Sequence, residues 1–264
     1  RRRPPAAYQG SFYTASPSFR CGRSSPGRGS SDPYSVSPRN IEAPVPAYPV
    51  EPREEQGRAM IGAAYRNHSE IPFGRYNLIM CDPPWKFENW SPKGEGKNPS
   101  ATYDCMTLDD IRAMPVGMFA APECILWLWA TNPMLDVQMD VLKGWGFQFV
   151  TSGHWSKFTK NGKQHFGTGY CLRGAGEPFL IGKIGKPKYA KNVRSVVVGK
   201  ARENSRKPEE AYEAAERLAV GAETRLDMFT RQRRPGWDAF GDQYDEFGAL
   251  TWDSINATRS KRPY

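Results

Sequence analysis

A run of apolar residues from Cys124 to Ala130 is the feature that most restricts the fold of this chain. Its seven residues, Cys-Ile-Leu-Trp-Leu-Trp-Ala, are apolar at every position, so both faces of the segment must be buried. Tyr76 to Cys81 and Phe147 to Val150 are shorter, mostly apolar runs that are also predicted to be buried strands. Burial on both faces is typical of a central parallel strand covered by helices. The chain is therefore predicted to have an α/β fold.

Helical spacings lie between these apolar runs. Thr107-Leu-Asp-Asp110 predicts a capped start for a helix over Ile111 to Met114. Pro133 opens a second helix, which ends at Gly144. A third begins at Lys207-Pro-Glu-Glu210 and ends before Gly221.

Four further strands are predicted from short apolar runs. They cover Gly169 to Leu172, Pro178 to Gly182, Arg194 to Val198 and Arg225 to Phe229. The first two are predicted to form a hairpin with each other.

Residues 1–56 differ in composition from the rest. Ten Pro, nine Ser and four Gly stand among them, and no apolar period of a helix or strand is present. This segment is predicted to be a disordered tail. Residues 57–264, about 200 residues, are predicted to form a single domain.

Charge and cysteine content narrow the class of protein. The formal net charge of +9 favours polyanionic partners such as nucleic acid. No apolar stretch is long enough to span a membrane, and no apolar segment follows the arginines at the start, so neither a membrane protein nor a secretory signal is expected. The five cysteines lack a C-x-x-C pair, and the three histidines lack metal-ligand spacing. We expect an intracellular protein with reduced thiols and no metal.

The chemistry is predicted to lie in Asp82-Pro83-Pro84-Trp85, directly after the first apolar run. Open α/β sheets bind ligands outside the carboxyl ends of their strands. The prolines hold this backbone rigid, so the Asp82 carboxylate and the Pro83 carbonyl can each accept a hydrogen from an exocyclic amino group. Trp85 would stack on the base, and the sulfonium of S-adenosyl-L-methionine is the natural methyl donor. The alternative is that Asp-Pro-Pro is an ordinary turn.

The sequence resembles the MT-A-seventy family of adenine-N6 methyltransferases from about Leu78 to Phe247. The matching blocks, besides Asp82 to Trp85, are Leu126-Trp-Leu-Trp-Ala-Thr131, Trp145-Gly-Phe147, Ser205-Arg-Lys-Pro-Glu-Glu210, Arg225-Leu-Asp-Met-Phe229 with Arg231, and Gly236-Trp-Asp-Ala-Phe-Gly-Asp-Gln243. The resemblance implies a Rossmann-like S-adenosylmethionine-dependent domain with permuted motif order. Asn89-Trp90 and Thr131-Asn132 resemble the bacterial or phage branch.

The resemblance also implies roles for individual residues. Asp82, Pro83, Pro84 and Trp85 would be catalytic, and Trp90 and Tyr103 would lie near the target base. The implied cofactor-binding residues are Lys207, Asp227, Phe229, Arg231, Asp242 and Gln243. Asp242 replaces an Asn of the family, and Arg234 stands where the family has another Asn.

Two segments are predicted to meet the nucleic acid. Residues 183–207 carry nine basic residues against the single acid Glu203, and Lys183, Lys186 and Lys188 are predicted to bind substrate phosphates. Lys157, Lys160 and Lys163 could extend the same field. The alternative is a solvated basic face. Residues 86–101, rich in glycine, are predicted to form a mobile lid over the base.

The sequence thus predicts methyl transfer from S-adenosyl-L-methionine to the N6 of adenine, with DNA as the expected acceptor polymer and RNA as the alternative. Cytosine N4 is a competing acceptor, and a non-catalytic nucleic-acid-binding subunit of a methyltransferase complex is the alternative from another class. A homodimer or heterodimer fits the resemblance. A bacterial or phage protein of this kind would work in the cytoplasm, at the nucleoid. The recognition sequence and the host are not readable from these residues.

Overall fold

Two of the predicted apolar runs are neighbouring strands in the middle of an eight-stranded mixed sheet. The computed structural model describes residues 61–86, 105–169, 171–203 and 206–260, all within one compact unit, Glu54–Tyr264. The strands are β1 (Ala64–Tyr65), β2 (Tyr76–Cys81), β3 (Ala120–Trp129), β4 (Gln148–Phe158), β5 (Gly176–Ile184), β6 (Val196–Lys200), β7 (Arg225–Met228) and β8 (Asp238–Phe240). Their spatial order is β1-β8-β7-β2-β3-β5-β4-β6.

The direction of the strands decides where a site can form. β1, β8, β7, β2 and β3 are parallel neighbours, β5 is antiparallel to both β3 and β4, and β6 is parallel to β4. Seven strands therefore end at the same edge, where β2, β3 and β7 finish at Cys81, Trp129 and Met228. We call this the carboxyl edge. The start of β5, at Gly176, lies there as well, because Phe179 is opposite Trp129.

Five α-helices accompany the sheet in the described residues. They are α1 (Leu108–Ala113), α2 (Val116–Phe119), α3 (Leu135–Gly144), α4 (Glu209–Leu218) and α5 (Trp252–Ser260), with short 3-10 helices at His68–Glu70 and Asn132–Met134. The Thr107 hydroxyl accepts a hydrogen bond from the Asp110 N–H at 3.1 Å, which is the predicted cap of α1. The extended backbone of Pro208 precedes α4, with two glutamates in its first turn.

The core consists of two clusters, as expected for a sheet buried on two faces. One contains Ile79, Leu126 and Leu128 with residues of α1 to α3. The other contains Trp127, Trp129 and Phe179 with residues of α4. Alternate residues of β3 thus enter different clusters, which explains why this strand is apolar throughout.

The fold class is confirmed, and some elements differ from the prediction. The strand predicted over Gly169 to Leu172 is wrong, because its described residues lie in a loop. The predicted hairpin is wrong for the same reason, since β5 pairs with β4 and β3. The short strands β1 and β8 and the helices α2 and α5 were not predicted. The predicted tail lies outside the described residues.

Candidate active site

The Asp82-Pro83-Pro84-Trp85 segment is anchored at the carboxyl edge by hydrogen bonds from both sides. The Asp82 N–H donates to the Met228 carbonyl at 3.2 Å, and the Met106 N–H donates to the Pro84 carbonyl at 3.1 Å. A tight turn is closed by the Trp85 N–H, which donates to the Pro83 carbonyl at 2.8 Å. The two prolines have no N–H to satisfy. The segment is therefore rigid and keeps the Asp82 side chain at the end of β2.

The stacking role predicted for Trp85 does not fit this arrangement. Its side chain is only 4% exposed and belongs to the core cluster of α1 to α3. Its indole N–H donates to the Trp129 carbonyl at 3.1 Å. A ring buried in this way offers no free face to a base, so in this structure Trp85 fastens the Asp82-Pro83-Pro84-Trp85 segment to β3. The Pro83 carbonyl, which already accepts the Trp85 N–H, retains a second lone pair for another donor.

A chain of alternating charges extends from Asp82 across the carboxyl edge. The Lys207 ammonium lies 2.9 Å from Asp82 Oδ2 and 3.0 Å from Glu177 Oε2. Glu177 also pairs with Lys157 through its other oxygen. These four side chains come from the ends of β2, β4 and β5 and from the segment before α4. Lys207 was predicted to serve the cofactor, and the structure places its ammonium between two carboxylates, with one of its three donors left.

These charges set the protonation of the site. Burial raises the pKa of Asp82, Lys207 opposes this rise, and the negative charge of Glu177 adds to it. Burial works against ionisation of Glu177 too, but Lys207 and Lys157 bring its pKa down to about 2. Burial tends to lower the pKa of Lys207, yet its two carboxylate partners raise it above its ordinary value. At neutral pH Lys207 is thus a cation and Glu177 an anion.

A cleft opens beside Asp82. It is lined by Asp82, Trp129, Arg202, Arg206, Lys207, Tyr212, Asp227, Phe229, Thr230, Arg231, Gln232 and Arg234. Four of the predicted cofactor residues, Lys207, Asp227, Phe229 and Arg231, are among them. Asp242 and Gln243 follow β8 at the same edge and are not part of this lining.

The lining fits S-adenosyl-L-methionine. A row of cations suits the carboxylate of its methionine part, whereas Asp82 and Asp227 suit its ammonium and sulfonium cations. Phe229 supplies aromatic surface. The buried indole N–H of Trp129 finds no hydrogen-bond partner among the described residues. Phe229 has a φ of 61°, a left-handed conformation that is strained for a bulky residue and common at functional sites.

A buried polar network forms the floor of the cleft. The Tyr212 hydroxyl donates to Asp227 at 2.9 Å. The Arg234 guanidinium donates to both oxygens of Glu209, at 3.0 and 3.1 Å, and lies 3.1 Å from the centre of the Tyr212 ring. Burial raises the pKa of Asp227 to about 6, against the opposing effect of Arg234. Arg234, a departure from the resemblance, therefore joins β7, α4 and the cleft.

A second arginine shapes the cleft rim. Arg206 donates from Nε and Nη2 to Gln232 Oε1, at 3.0 and 2.6 Å. Gln232 in turn donates to the Phe247 carbonyl at 3.0 Å. The guanidinium groups of Arg206 and Arg231 each lie 5.0 Å from the centre of the Phe247 ring. The rim is thus a cationic wall with fixed side chains.

The substrate lysines predicted on residues 183–188 lie away from this site. β5 starts at the carboxyl edge and runs to the opposite edge, where Lys183 is opposite Ile125 and Ile184 opposite Cys124. Six residues of extended chain separate Lys183 from Glu177, about 20 Å. Lys186 and Lys188 follow on that opposite side, and Lys188 lines a separate cleft there. These lysines therefore do not lie beside Asp82, and their contact with substrate phosphates stays a prediction.

Other predicted site residues lie outside the described residues. Trp90 and Tyr103 are among them, together with all of the predicted lid except Lys86. Within the described ranges, no group of three or more His, Cys, Asp and Glu side chains could hold a metal ion, and no helix has the length and apolar character needed to cross a membrane.

The sequence reasoning missed Glu177, Tyr212, Arg206 and Gln232. Glu177 is an acidic residue at the start of a strand, directly before the apolar run Phe179 to Ile181, and this is the one local signal that could have singled it out. The others become site residues only through the packing of α4 and of the segment after β7.

The chain is similar to a known protein family and to several known proteins. The family model MT-A70, which is the MT-A-seventy family of the sequence analysis, matches residues 76–243. A putative N(6)-adenosine-methyltransferase MT-A70-like protein of Medicago truncatula is 28% identical over 192 residues, which are 69% of this chain and 29% of that protein. The N(6)-adenosine-methyltransferase catalytic subunit METTL3 of Homo sapiens is 26% identical over 72% of this chain and 32% of METTL3. The type II methyltransferase M.MunI of Mycoplasma sp is 23% identical over 76% of this chain and 91% of M.MunI. The chain thus spans about three tenths of the plant and human relatives and nearly the whole of M.MunI.

Proposed function

Because this chain belongs to the MT-A70 family, whose methyltransferases use S-adenosyl-L-methionine, we propose that it methylates the N6 amino group of adenine in nucleic acid. One observation carries the proposal: the Asp82 carboxylate, at the end of a central strand, borders a cleft that fits the cofactor. A subunit without activity would not need this acceptor, so the non-catalytic alternative is disfavoured.

The chain's own residues would do the following work. Asp82 and the Pro83 carbonyl accept the two amino hydrogens, which directs the nitrogen lone pair out of the ring plane. Lys207 keeps the Asp82 side chain in place and balances its charge, and Glu177 holds the Lys207 ammonium from the other side. Arg206, Arg231 and Asp227 would hold the cofactor, whose sulfonium would supply the methyl group. The sulfur would leave as the neutral thioether, and the methylated nitrogen would lose one of its amino hydrogens as a proton. Most of the acceleration would come from positioning rather than from proton transfer.

We propose DNA as the acceptor polymer. The resemblance to the bacterial or phage branch supports DNA, as does similarity to the type II methyltransferase M.MunI over 91% of its length. The names of the plant and human relatives specify adenosine, which makes RNA the second candidate. An enzyme acting on bacterial DNA would work in the cytoplasm, at the nucleoid.

A methyl-transfer assay tests the proposal. The full chain is given tritiated S-adenosyl-L-methionine with a long mixed-sequence DNA, or with the RNA transcribed from it, and the products are digested to nucleosides. We expect label in N6-methyldeoxyadenosine. Label only in the RNA digest, or only in N4-methylcytosine, would contradict the proposed acceptor.

The role of Asp82 has a matched control. Asp82→Ala should lower methyl incorporation by about 10²–10³-fold or more, while salt-sensitive binding of nucleic acid stays nearly the same. Asp140→Ala, which removes an exposed aspartate of α3, should retain full activity. Equal activity of the wild type and the Asp82 variant would refute the mechanism.

A further inference from the structure

The loop between β4 and β5 extends beyond the sheet at the carboxyl edge. It covers residues 159–175 and begins two residues after Lys157, which pairs with Glu177. We call it the 159–175 loop. Tyr170, within it, lies outside the described residues. The loop therefore starts directly beside the charge chain of the candidate active site.

Internal hydrogen bonds give this loop a defined shape. The Thr159 N–H donates to the Lys163 carbonyl at 2.7 Å, and the Gly167 N–H donates to the Gly174 carbonyl at 2.7 Å. The Gly174 N–H returns to the Thr168 carbonyl at 3.1 Å. A side chain at Gly169 would collide with the Leu172 carbonyl, so the backbone is tightly folded there. Side chains on such a loop are held out in fixed positions.

The 159–175 loop has large apolar side chains that are exposed to solvent, although such side chains are usually buried. Phe166 is 80% exposed and Leu172 85%, the two highest values among the large hydrophobic residues that the structure describes. The Arg173 guanidinium lies 5.9 Å from the centre of the Phe166 ring. Exposed apolar groups this close to an active site indicate a contact surface.

The charge around these groups identifies the kind of partner. The segment from Thr159 to Ala175 contains Lys160, Lys163 and Arg173 and no acidic residue. Both lysines are exposed. Cations around an apolar tip are complementary to a phosphate backbone with stacked bases inside it. An ordinary protein surface would offer no such repeated negative charge.

An adenine in a duplex cannot reach Asp82 while it is stacked. An enzyme that acts on it must turn the base out of the helix, which costs unstacking and unpairing energy. Apolar side chains that enter the base stack can fill the gap and repay part of this cost. We propose that Phe166 and Leu172 enter a nucleic-acid duplex and occupy the space left by the everted base, while Lys160 and Lys163 hold the flanking phosphates. This inference rests on the proposed function and assigns duplex nucleic acid as its substrate class.

A binding experiment tests the inference without needing the recognition sequence. The probes are a short fluorescein-labelled DNA duplex, the same duplex with one central abasic site, and the labelled single strand, measured by anisotropy with the full chain. An abasic site removes the cost of eversion and leaves the gap open. We expect the wild type to bind the abasic duplex about tenfold more tightly than the intact one.

Separate variants test the apolar side chains that would enter the duplex and the lysines that would bind its phosphates. The double variant Phe166→Ala with Leu172→Ala should lose the preference for the abasic duplex. Phe73→Ala, at an exposed phenylalanine of the opposite edge, should retain it. Lys160→Ala with Lys163→Ala should weaken binding to all probes alike and reduce the salt slope by about one per lysine. Thermal melting of each variant shows that it is folded.

Failure of the inference can be told from failure of the proposed function. Asp82→Ala should retain the abasic preference, because its binding loop is intact. A wild type that shows the preference but transfers no methyl group would refute the proposed function alone. The inference is overturned if the folded double variant keeps the preference, if its loss of affinity is confined to the single strand, or if it only converts a dimer to a monomer.

Discussion

The Lys207 ammonium lies 2.9 Å from the Asp82 carboxylate and 3.0 Å from that of Glu177, so one cation joins the ends of two strands to the start of α4. The lysine is largely buried, and its partners are the groups that most affect its charge. Because Asp82 and Glu177 influence each other through this cation, the three residues are expected to respond as a unit to substitution and to pH.

Replacement of Lys207 by Met should affect both activity and stability. Removing one partner of a buried ion pair leaves uncompensated charge and costs about 3–5 kcal/mol of folding free energy. The pKa of Asp82 should rise further, because Lys207 lowers it in the wild type. The acidic limb of the profile of kcat/KM against pH should therefore move to higher pH. A profile unchanged in position would contradict the pairing.

Replacement of Glu177 by Gln should shift the same limb in the opposite direction. Glu177 is ionised at neutral pH, and its negative charge raises the pKa of Asp82. The glutamine has nearly the same shape without the charge, so Asp82 should stay ionised to lower pH. Glu216→Gln is the matched control, because its glutamate is bonded to Trp237 on the far side of α4. Equal shifts in the two variants would show that the effect is not local.

Arg233 and Arg234 are adjacent in the sequence but differ in burial, so replacing each tests whether the buried network under the cleft stabilises the fold. Arg234 is buried and bonded twice to Glu209, whereas Arg233 pairs with the half-exposed Asp245 near the surface. Arg234→Ala should lower the free energy of unfolding by about 3–5 kcal/mol. Arg233→Ala should lower it by less than about 1 kcal/mol. Chemical denaturation measures both, and similar losses would mean that the Arg234 network is not structural.

The raised pKa of Asp227 predicts a pH-dependent stability. Folding raises this pKa from its ordinary 3.8 to about 6, chiefly by burial. The folded protein therefore binds the Asp227 proton more tightly than the unfolded chain does. This contribution to the free energy of unfolding is fully present below the ordinary pKa and is lost as the pH rises through 6. In Asp227→Asn this loss should be absent. Between about pH 4 and about pH 8, the free energy of unfolding of the variant should therefore rise by about 2–3 kcal/mol relative to that of the wild type.

The unfolding free energies of both proteins at several pH values check this point. A difference between wild type and Asp227→Asn that is independent of pH would show that Asp227 has an ordinary pKa in the folded protein.

Much of the fold could be read from local patterns. Continuous apolar runs identified β2 and β3, Thr107 identified the start of α1, and the proline and glutamates before α4 identified that helix. These signals are local, because a strand buried on both faces needs apolar residues everywhere and a helix end needs caps. β1 and β8 are two and three residues long, too short for a period to be recognised.

Some features of the candidate site could likewise be predicted from local sequence, and others could not. The sequence alone determined that an acidic residue and two prolines follow a buried strand, since this depends on neighbours in the chain. Only the tertiary structure decided that Lys207 and Glu177 meet Asp82, that Trp85 is buried, and that Lys183 lies at the other edge. Those relationships depend on which strands are neighbours and on the antiparallel direction of β5. Neither can be predicted from the number of charged residues in a stretch of sequence.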